Sequence, residues 1–529
     1  MEYKKLTKKE IYSLLYKRFN GEFLTLKELP SPFTFKDMQK GVARTAKAIK
    51  NQEKIVVVGD YDVDGVVATT IMRSLFSALS YEIEWIIPNR FSDGYGLSPA
   101  IIERIEADVV ITVDNGIAAL DAAKLCKQKG IDLIITDHHN IPAQLPEAFA
   151  IINQKQNDCP FAFKEICGAQ IAWYFALALA KELGASLDAK YLLGFVALAI
   201  VADIMPLTGI NRVMLIAGLQ QLQRGNYFFV EALRERGYLK QFNSEAIAYY
   251  IAPLLNSAGR LTDASLASNF LLSSSYEEAA SLLEELIALN QKRKDLEAKC
   301  TKEALLQVSK EDKIAIVSGE NWHEGVVGIV ASRLVEHYKM PALVLSQKNG
   351  ICKGSGRSYG ECDLFALVSS AKEHFLKFGG HKSALGLSFR QEEIDTIKSI
   401  LNQNASNFVD TNYTDSAILG ELPFSEIDLE LIEILERFEP YGEANPKPKF
   451  ITKQVKVLDI TLIGAKKEHK RFLLEESQRR LIALEFRSKS SVAIGDRVDI
   501  TYTLHKNEFN NMLSVNLFLE EIILYKRNL

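Results

Sequence analysis

The sequence predicts an α/β protein: a parallel-sheet domain, a second α/β lobe joined to it by a long helix, and a C-terminal β-barrel. Three observations predict this. Ile55, Val56, Val57 and Val58 form an unbroken β-branched run, the mark of a strand buried on both faces in a parallel sheet. From there to residue 152 apolar strands alternate with helical stretches, the rhythm of right-handed βαβ crossovers. Beyond about residue 447 that rhythm gives way to short alternating strands, with turn signals at Gly464, Gly495-Asp496 and Asn510-Asn511.

The 529 residues suggest three or four domains with ample apolar content, 47% hydrophobic against 25% charged. A net charge of −4 excludes a uniformly basic coat but not a local basic groove. The six cysteines are scattered without a Cys-x-x-Cys pair, as structural thiols of a reducing cytosol would be, and zinc is not expected. The N-terminus has a basic start with no apolar core behind it, so no secretory signal of the usual form is expected. The most apolar stretch, Ile171 to Ala180, is too short to span a bilayer. A cytoplasmic, monomeric protein without membrane contact is expected.

In chain order, residues 1–53 read as a charged helical leader packing on the first domain, which covers 54–274. Strand 55–58 is followed by a helix over 66–79 and by strands at 83–87, 108–113, 132–135 and 148–152. An apolar helical region, 170–202, ends at Asp203-Ile-Met-Pro, where Pro206 stops it. Leu282, Leu283, Leu286, Leu289 and Leu296 recur at helical spacing without Gly or Pro, predicting one long connecting helix over 275–310. A second lobe, 311–405, has strands at 314–317 and 342–345 around a helix at 326–337, and closes on two Gly-rich segments, 353–358 and 378–383. Residues 406–446 read as a linker. The barrel, 447–529, carries sixteen Lys or Arg against ten Asp or Glu, which suits tracking of a single-stranded nucleic-acid backbone. Phe472, Phe486, Phe509 and Phe518 are either stacking surfaces or core.

Three strands thus end on chemistry. The first opens into Asp60, Asp62 and Asp64, the second into Asp114, the third into Asp137, His138 and His139, and Asp203 follows the helical region. Carboxylates this close cannot all stay ionised without a cation among them, and the carboxyl ends of parallel strands are where open α/β sheets bind ligands. Carboxylates with imidazole suit Mn²⁺ or Mg²⁺, and a set this large can hold two ions about 3.5–4 Å apart. In the second lobe, Gly354-Ser-Gly-Arg357 and Phe378-Gly-Gly-His381 offer backbone N–H groups close access to a phosphate, with Arg357 as a bidentate fork. Trp322-His323 is either a stacking pair or packing.

Gly-Asp-Tyr-Asp-Val-Asp-Gly (59–65), Thr-Val-Asp-Asn-Gly (112–116), Thr-Asp-His-His (136–139) and Ala-Asp-Ile-Met-Pro-Leu (202–207) resemble, in order, the four motifs of the DHH phosphoesterase superfamily. Pro-Asn-Arg-Phe-Ser-Asp-Gly-Tyr-Gly (88–96), Asn-Ser-Ala-Gly-Arg (256–260) and the two Gly-rich segments resemble its branch of bacterial 5′ exonucleases specific for single-stranded DNA. The likeness runs from about residue 54 to the C-terminus. Val63 replaces the commoner alanine, and Ile204-Met205 a pair of valines, apolar for apolar.

The resemblance implies a DHH domain, a DHHA1-type second lobe and an OB-like barrel, without the extra C-terminal domain of longer relatives. By similarity, Asp62 and Asp114, with Asp60 a further candidate, hold one metal, and Asp64, Asp114, His138 and Asp203 the other, with Asp114 bridging. His139 would stabilise charge at the scissile phosphate. Arg90, Arg260, Ser355, Arg357 and His381 would bind the 5′-terminal phosphate and adjoining backbone. The implied activity is 5′ to 3′ degradation of single-stranded DNA to mononucleotides in repair and recombination, with a RecQ-type helicase and a single-strand-binding protein as partners. Two rivals are a phosphodiesterase of short oligoribonucleotides or cyclic dinucleotides and a non-catalytic DNA-binding scaffold. The basic barrel and the bridging helix speak against the first, and the filled ligand positions against the second.

Overall fold

The computed structural model of the chain describes residues 3–19, 23–239, 241–405, 418–464, 466–488, 490–510 and 512–524. Five strands, β1 (Ile55–Val58), β2 (Glu84–Ile86), β3 (Val109–Val113), β4 (Asp132–Thr136) and β5 (Ala150–Ile152), form an all-parallel sheet in the order β2-β1-β3-β4-β5. Alternate residues feed opposite cores. Ile55 and Val57 pack with the helices Val63–Ala78 and Gly168–Glu182. Val56 and Val58 pack against Ile101, Ile102 and the helix Leu120–Lys129. That two-sided burial is why the run contains no polar residue.

The helical region read over 170–202 is two helices, Gly168–Glu182 and Ala189–Ala202, separated by a turn. Both are apolar nearly all round because both are buried within the same core. A single helix, Tyr276–Leu305, then runs 30 residues, about 45 Å at the usual rise. Its first turns, through Ala279, Leu283 and Leu286, join the core of the first domain. Its last turns, through Cys300 and Ala304, join that of the second lobe. Between them Arg293 pairs with Glu297 at 2.6 Å, and Glu297 reaches Arg333 of the second lobe at 3.1 Å.

The second lobe is a mixed sheet of β6 (Ala315–Glu320), β7 (Ala342–Lys348), β8 (Ile351–Arg357), β9 (Lys377–Gly380) and β10 (Ala384–Arg390), in the order β6-β7-β8-β10-β9. The C-terminal domain has β11 (Ile418–Glu421), β12 (Lys449–Ile463), β13 (His469–Glu476), β14 (Arg479–Glu485), β15 (Arg497–Phe509) and β16 (Met512–Leu524). Pairing of β12 with both β13 and β15 closes five of these strands into an OB-like barrel, with β11 added beside β12.

Two boundaries differ from the sequence reading. Residues 1–53 are not one leader on the first domain. The helix Met38–Lys50 packs on the parallel sheet, whereas Lys8–Lys17 belongs to the C-terminal domain. Leu6, Ile11, Leu15 and Phe19 share a core with Leu422, Phe424, Leu431 and Phe450, and Lys8 bridges Glu430 at 2.6 Å. Nor is 406–446 a linker throughout. Residues 406–417 lie outside the described residues, and from Ile418 onward β11 and the helix Leu429–Glu436 are part of the barrel domain. Phe472 is core, Phe486 is exposed, Phe518 lies flat on His505 at 3.7 Å, and the Phe509 side chain lies outside the described residues.

Since Leu15 is fully buried against the barrel domain, Leu15→Ala is expected to destabilise that domain by about 2–4 kcal/mol. Hydrogen exchange of residues 418–524 should accelerate while the parallel sheet stays protected.

Candidate metal centre

The rim at the carboxyl ends of β1, β3 and β4 gathers the acidic and imidazole groups. Asp62 caps the helix Val63–Ala78, its carboxylate accepting from the backbone N–H of Asp64 at 3.0 Å and of Gly65 at 3.2 Å. Asp64, one turn in, accepts from the N–H of Gly168 at 2.6 Å and of Ala169 at 2.8 Å, the exposed donors of a second helix start. Asp114 follows β3 with φ of 61°, a conformation uncommon for a residue with a side chain. A Cβ on Gly168 would lie 2.6 Å from the Asp114 side chain, so only glycine lets that helix come so close. Asp203 arrives as the C-cap of the helix Ala189–Ala202.

His138 Nε2 stands at the centre, 3.1 Å from Asp114, 3.6 Å from Asp64 and 3.7 Å from Asp203. Three overlapping sets have ligand atoms within 4.8 Å of one another: Asp60 with Asp62 and Asp114, Asp64 with His138 and Asp203, and Asp114 with His138 and His139. Asp114 is shared by the first and third. Both oxygens of Asp60 and one of Asp203 are buried without a hydrogen bond, and Asp114 Oδ1 has only the His138 imidazole, at 3.1 Å, beside it. Buried carboxyl oxygens lacking donors take up either a proton or a cation, and hard oxygen donors plus one imidazole are the set that Mn²⁺ and Mg²⁺ take. The residues therefore fit a divalent-metal centre.

The titration behaviour agrees. Burial, then the neighbouring charge of Asp62, pushes the Asp60 carboxyl up. Burial, then Asp64 and Asp62, does the same to Asp114. Asp203 rises to about 9 through burial and the charge of Asp64. Burial lowers His138, keeping it the neutral imidazole a metal needs. His139 behaves oppositely: burial alone would lower it, but its hydrogen bond to Asp137 and that carboxylate's charge raise it to about 9.

Asp137, to which the sequence reading gave no role, anchors the histidine pair. It accepts from His139 Nδ1 at 2.7 Å and from the backbone N–H groups of His138, His139 and Ile117 at 2.7, 3.1 and 2.8 Å. Its place before the two histidines was the available signal, since a ligand histidine's other ring nitrogen or backbone wants a fixed acceptor.

Beside the acidic rim lies a basic cleft of about 700 Å³, lined by Arg90, Ser355, Arg357, Gly379 and Gly380. The Arg90 guanidinium stacks on Tyr61 at 4.0 Å, so the residue between two acidic ligand candidates carries the first cation of the cleft. Arg357 donates to Ser355 Oγ at 2.9 Å, and Arg260 donates to the Gly325 carbonyl across the lobes at 3.0 Å. Burial and the repulsion of Arg90, Arg357 and Arg293 lower Arg260 to about 10. Among the described residues none of Arg90, Arg260 and Arg357 forms an ion pair with a carboxylate, although the charge of Asp62 acts on Arg260, and three clustered guanidinium groups suit an anion. His381 is an exposed residue at the end of β9, its backbone N–H donating to the Ala384 carbonyl at 2.8 Å, and partial burial, then the charges of His139 and Lys155, lowers it. Trp322 is packing, with Nε1 donating to Glu303 at 2.7 Å, while His323 meets Phe91 of the first domain edge-on.

One expectation fails in its detail. Gly354-Ser-Gly-Arg357 is not a phosphate-cradling loop: it lies in β8, paired on both sides by β7 and β10, so its backbone N–H groups serve the sheet. Its glycines permit close sheet packing, and it is the side chains of Ser355 and Arg357 that face the cleft. In β9, an edge strand, Gly379 and Gly380 keep one side open.

Because these carboxyls titrate above their ordinary value, the ion-free folded protein keeps protons that the unfolded chain releases above about pH 4, and its stability falls as pH rises toward the raised values. Mn²⁺ uptake near neutral pH should therefore expel protons and tighten with pH. Titration calorimetry in buffers of different ionisation enthalpy should give buffer-dependent heats. Asp114→Asn should raise the ion-free melting temperature and abolish the rise that Mn²⁺ produces in the unaltered protein.

Sequence profiles match all three units: the DHH family N-terminal domain over residues 54–200, the DHHA1 domain over 311–407 and the RecJ OB domain over 418–521. The single-stranded-DNA-specific exonuclease RecJ of Haemophilus influenzae is 34% identical over 533 residues, covering 94% of this chain and 92% of that protein. The Bacillus subtilis RecJ is also 34% identical, over 93% of this chain, which spans 64% of that longer protein. Thermus thermophilus RecJ in complex with Mn²⁺ superimposes with a TM-score of 0.83 at 27% identity, covering 97% of this chain and 75% of that one. Its complex with Mg²⁺ superimposes with a TM-score of 0.79 at 26% identity, covering 97% and 74%. The chain belongs to the RecJ family of single-stranded-DNA-specific exonucleases, as a DHH-domain hydrolase with a site for divalent metal.

Proposed function

We propose that the protein is a 5′ to 3′ exonuclease that releases mononucleotides from single-stranded DNA, using two divalent ions. The observation that carries this reading is a juxtaposition of opposite charge: a rim of buried carboxylates and a cleft of guanidinium groups free of ion pairs with carboxylates among the described residues, meeting at Tyr61. Asp60, Asp62 and Asp114 would hold one ion, and Asp64, Asp114, His138 and Asp203 the other. When bound, the pair supplies Lewis acidity and an ionised water for in-line attack on a phosphodiester.

The chain's own groups set the polarity. Arg90, Arg260, Arg357 and Ser355 anchor a terminal 5′-phosphate, with His381 and the β9 edge on the adjoining backbone. Anchoring the end beside the acidic rim places the next phosphodiester there. Breaking its P–O3′ bond frees one 5′-mononucleotide and leaves a new 5′-phosphate on the shortened strand. That end is the same group the arginines bind, so the cycle repeats. His139, held by Asp137, donates through Nε2 to the oxygen on which negative charge grows. Contacts of this kind read phosphate rather than base, so sequence preference is not expected. The barrel's cationic excess and the flat Phe518–His505 pair suit an incoming single strand.

Among the described residues no helix is long and apolar enough to cross a membrane, and all six cysteines are buried and unpaired. The reading extends to a cytoplasmic DNA-processing enzyme acting in repair and recombination as a monomer. Work on duplex DNA would then need a RecQ-type helicase and a single-strand-binding protein to supply and hold the strand.

With Mn²⁺ and a 5′-labelled single strand, Asp114→Ala is expected to lose at least about 10³-fold in turnover. Arg357→Ala should erase most of the preference for a 5′-phosphate over a 5′-hydroxyl, by roughly tenfold or more, while residual cleavage still yields mononucleotides. Wild-type turnover in the first variant would refute the site.

A further inference from the structure

Tyr95 has no part in the site as drawn so far, yet its hydroxyl touches two of its members. It lies 3.3 Å from His139 Nε2 and 3.4 Å from the Asp114 carbonyl oxygen. The ring is half exposed, an edge-on neighbour of both His139 and Tyr61 at 6.0 Å. Such a placement is built rather than incidental. Gly94 and Gly96 flank the residue with φ of 84° and 60°, so the chain turns sharply on either side of it. The next residue, Leu97, donates its N–H to Asn115 Oδ1 at 3.0 Å. Asn115 Nδ2 in turn donates to the carbonyls of Val58 and Val113 at 3.0 and 2.9 Å. The loop bearing Tyr95 is thereby bolted to the ends of β1 and β3, the two strands that deliver the aspartates.

We propose that Tyr95 is a positioning residue for His139. Asp137 fixes the imidazole at Nδ1, and the Tyr95 hydroxyl fixes it at Nε2, so the ring cannot turn about its axis before substrate arrives. Because the same hydroxyl meets the Asp114 carbonyl, the direction of Nε2 is referenced to the backbone of the aspartate shared between the metal sets. A phosphoryl oxygen entering the rim then finds the imidazole aimed and needs only to share or replace one weak, long hydrogen bond. The ring itself can pack on sugar or base, but the inference concerns the hydroxyl. It rests on His139 acting at the scissile phosphate, as argued above.

The test compares Tyr95→Phe, His139→Ala and the double variant on a 5′-phosphorylated oligodeoxythymidylate with Mn²⁺, in the full chain. Tyr95→Phe should lower kcat about tenfold with KM and calorimetric Mn²⁺ affinity unchanged. The double variant should be no slower than His139→Ala alone, because the hydroxyl acts only through that ring. In a sample labelled with ¹⁵N-histidine, Tyr95→Phe should move the His139 Nε2 resonance and leave the other seven of the eight histidines in place. Wild-type kcat in Tyr95→Phe, or losses that multiply fully in the double variant, would overturn the inference. So would a Tyr95→Phe effect confined to KM, which would make the hydroxyl a substrate contact. If His139→Ala alone kept wild-type kcat, the assigned role of His139 would fail instead, and the ¹⁵N spectrum would still report whether Tyr95 holds the ring.

Discussion

The structure depends on an electrostatic debt at one sheet rim. Asp64, Asp114 and Asp203 crowd around His138, Asp60 and Asp62 join them through Asp114, and both oxygens of Asp60 are buried without a hydrogen bond. In a low-dielectric site like charges at such spacing repel strongly, and burial adds to the cost. The fold tolerates this because a parallel sheet brings distant segments to a common edge. The backbone then locks them there, through the helix cap at Asp62, the helix start under Asp64 and the close approach of Gly168 to Asp114. An arrangement held so firmly in an unfavourable ion-free state is preorganised for cations, and its strain is the counterpart of its function.

The neighbouring cleft repeats the logic with the sign reversed. Burial, then the repulsion of Arg90 and Arg357, lowers Arg260, and among the described residues none of the three forms an ion pair with a carboxylate. Tyr61 joins the two regions, since its backbone lies between two aspartates and its ring carries Arg90. A substrate with phosphates at successive positions would satisfy both sites at once, whereas a single small anion would satisfy one. The helix Tyr276–Leu305 joins the two lobes by entering the core of each, and its Glu297 ties it to Arg333 of the second.

Much of this was legible in the sequence, for physical reasons that also explain what was not. The β-branched run at 55–58 and the carboxylates at strand ends are local signals, and they located the sheet and its rim. The amphipathic pattern of residues 8–17 shows that a face is buried but not against what, and the answer was the distant barrel domain. Residues 418–446 read as linker because β11 has only four residues and the helix after it eight, too short for periodicity to be distinct. The glycines of 354–356 mimicked a phosphate loop because a strand needing close sheet packing and a loop needing backbone access use the same residue. Asp137 and Tyr95 act through His139, and contacts of that kind are set by three-dimensional placement that spacing does not encode.

The most direct measurement of the central claim is anomalous diffraction at the manganese edge from crystals equilibrated with Mn²⁺. Two peaks about 3.5–4 Å apart should appear, with the Asp114 carboxylate between them and His138 on one only. No peak among these side chains at saturating Mn²⁺, or ions bound elsewhere with the aspartates unchanged, would contradict it.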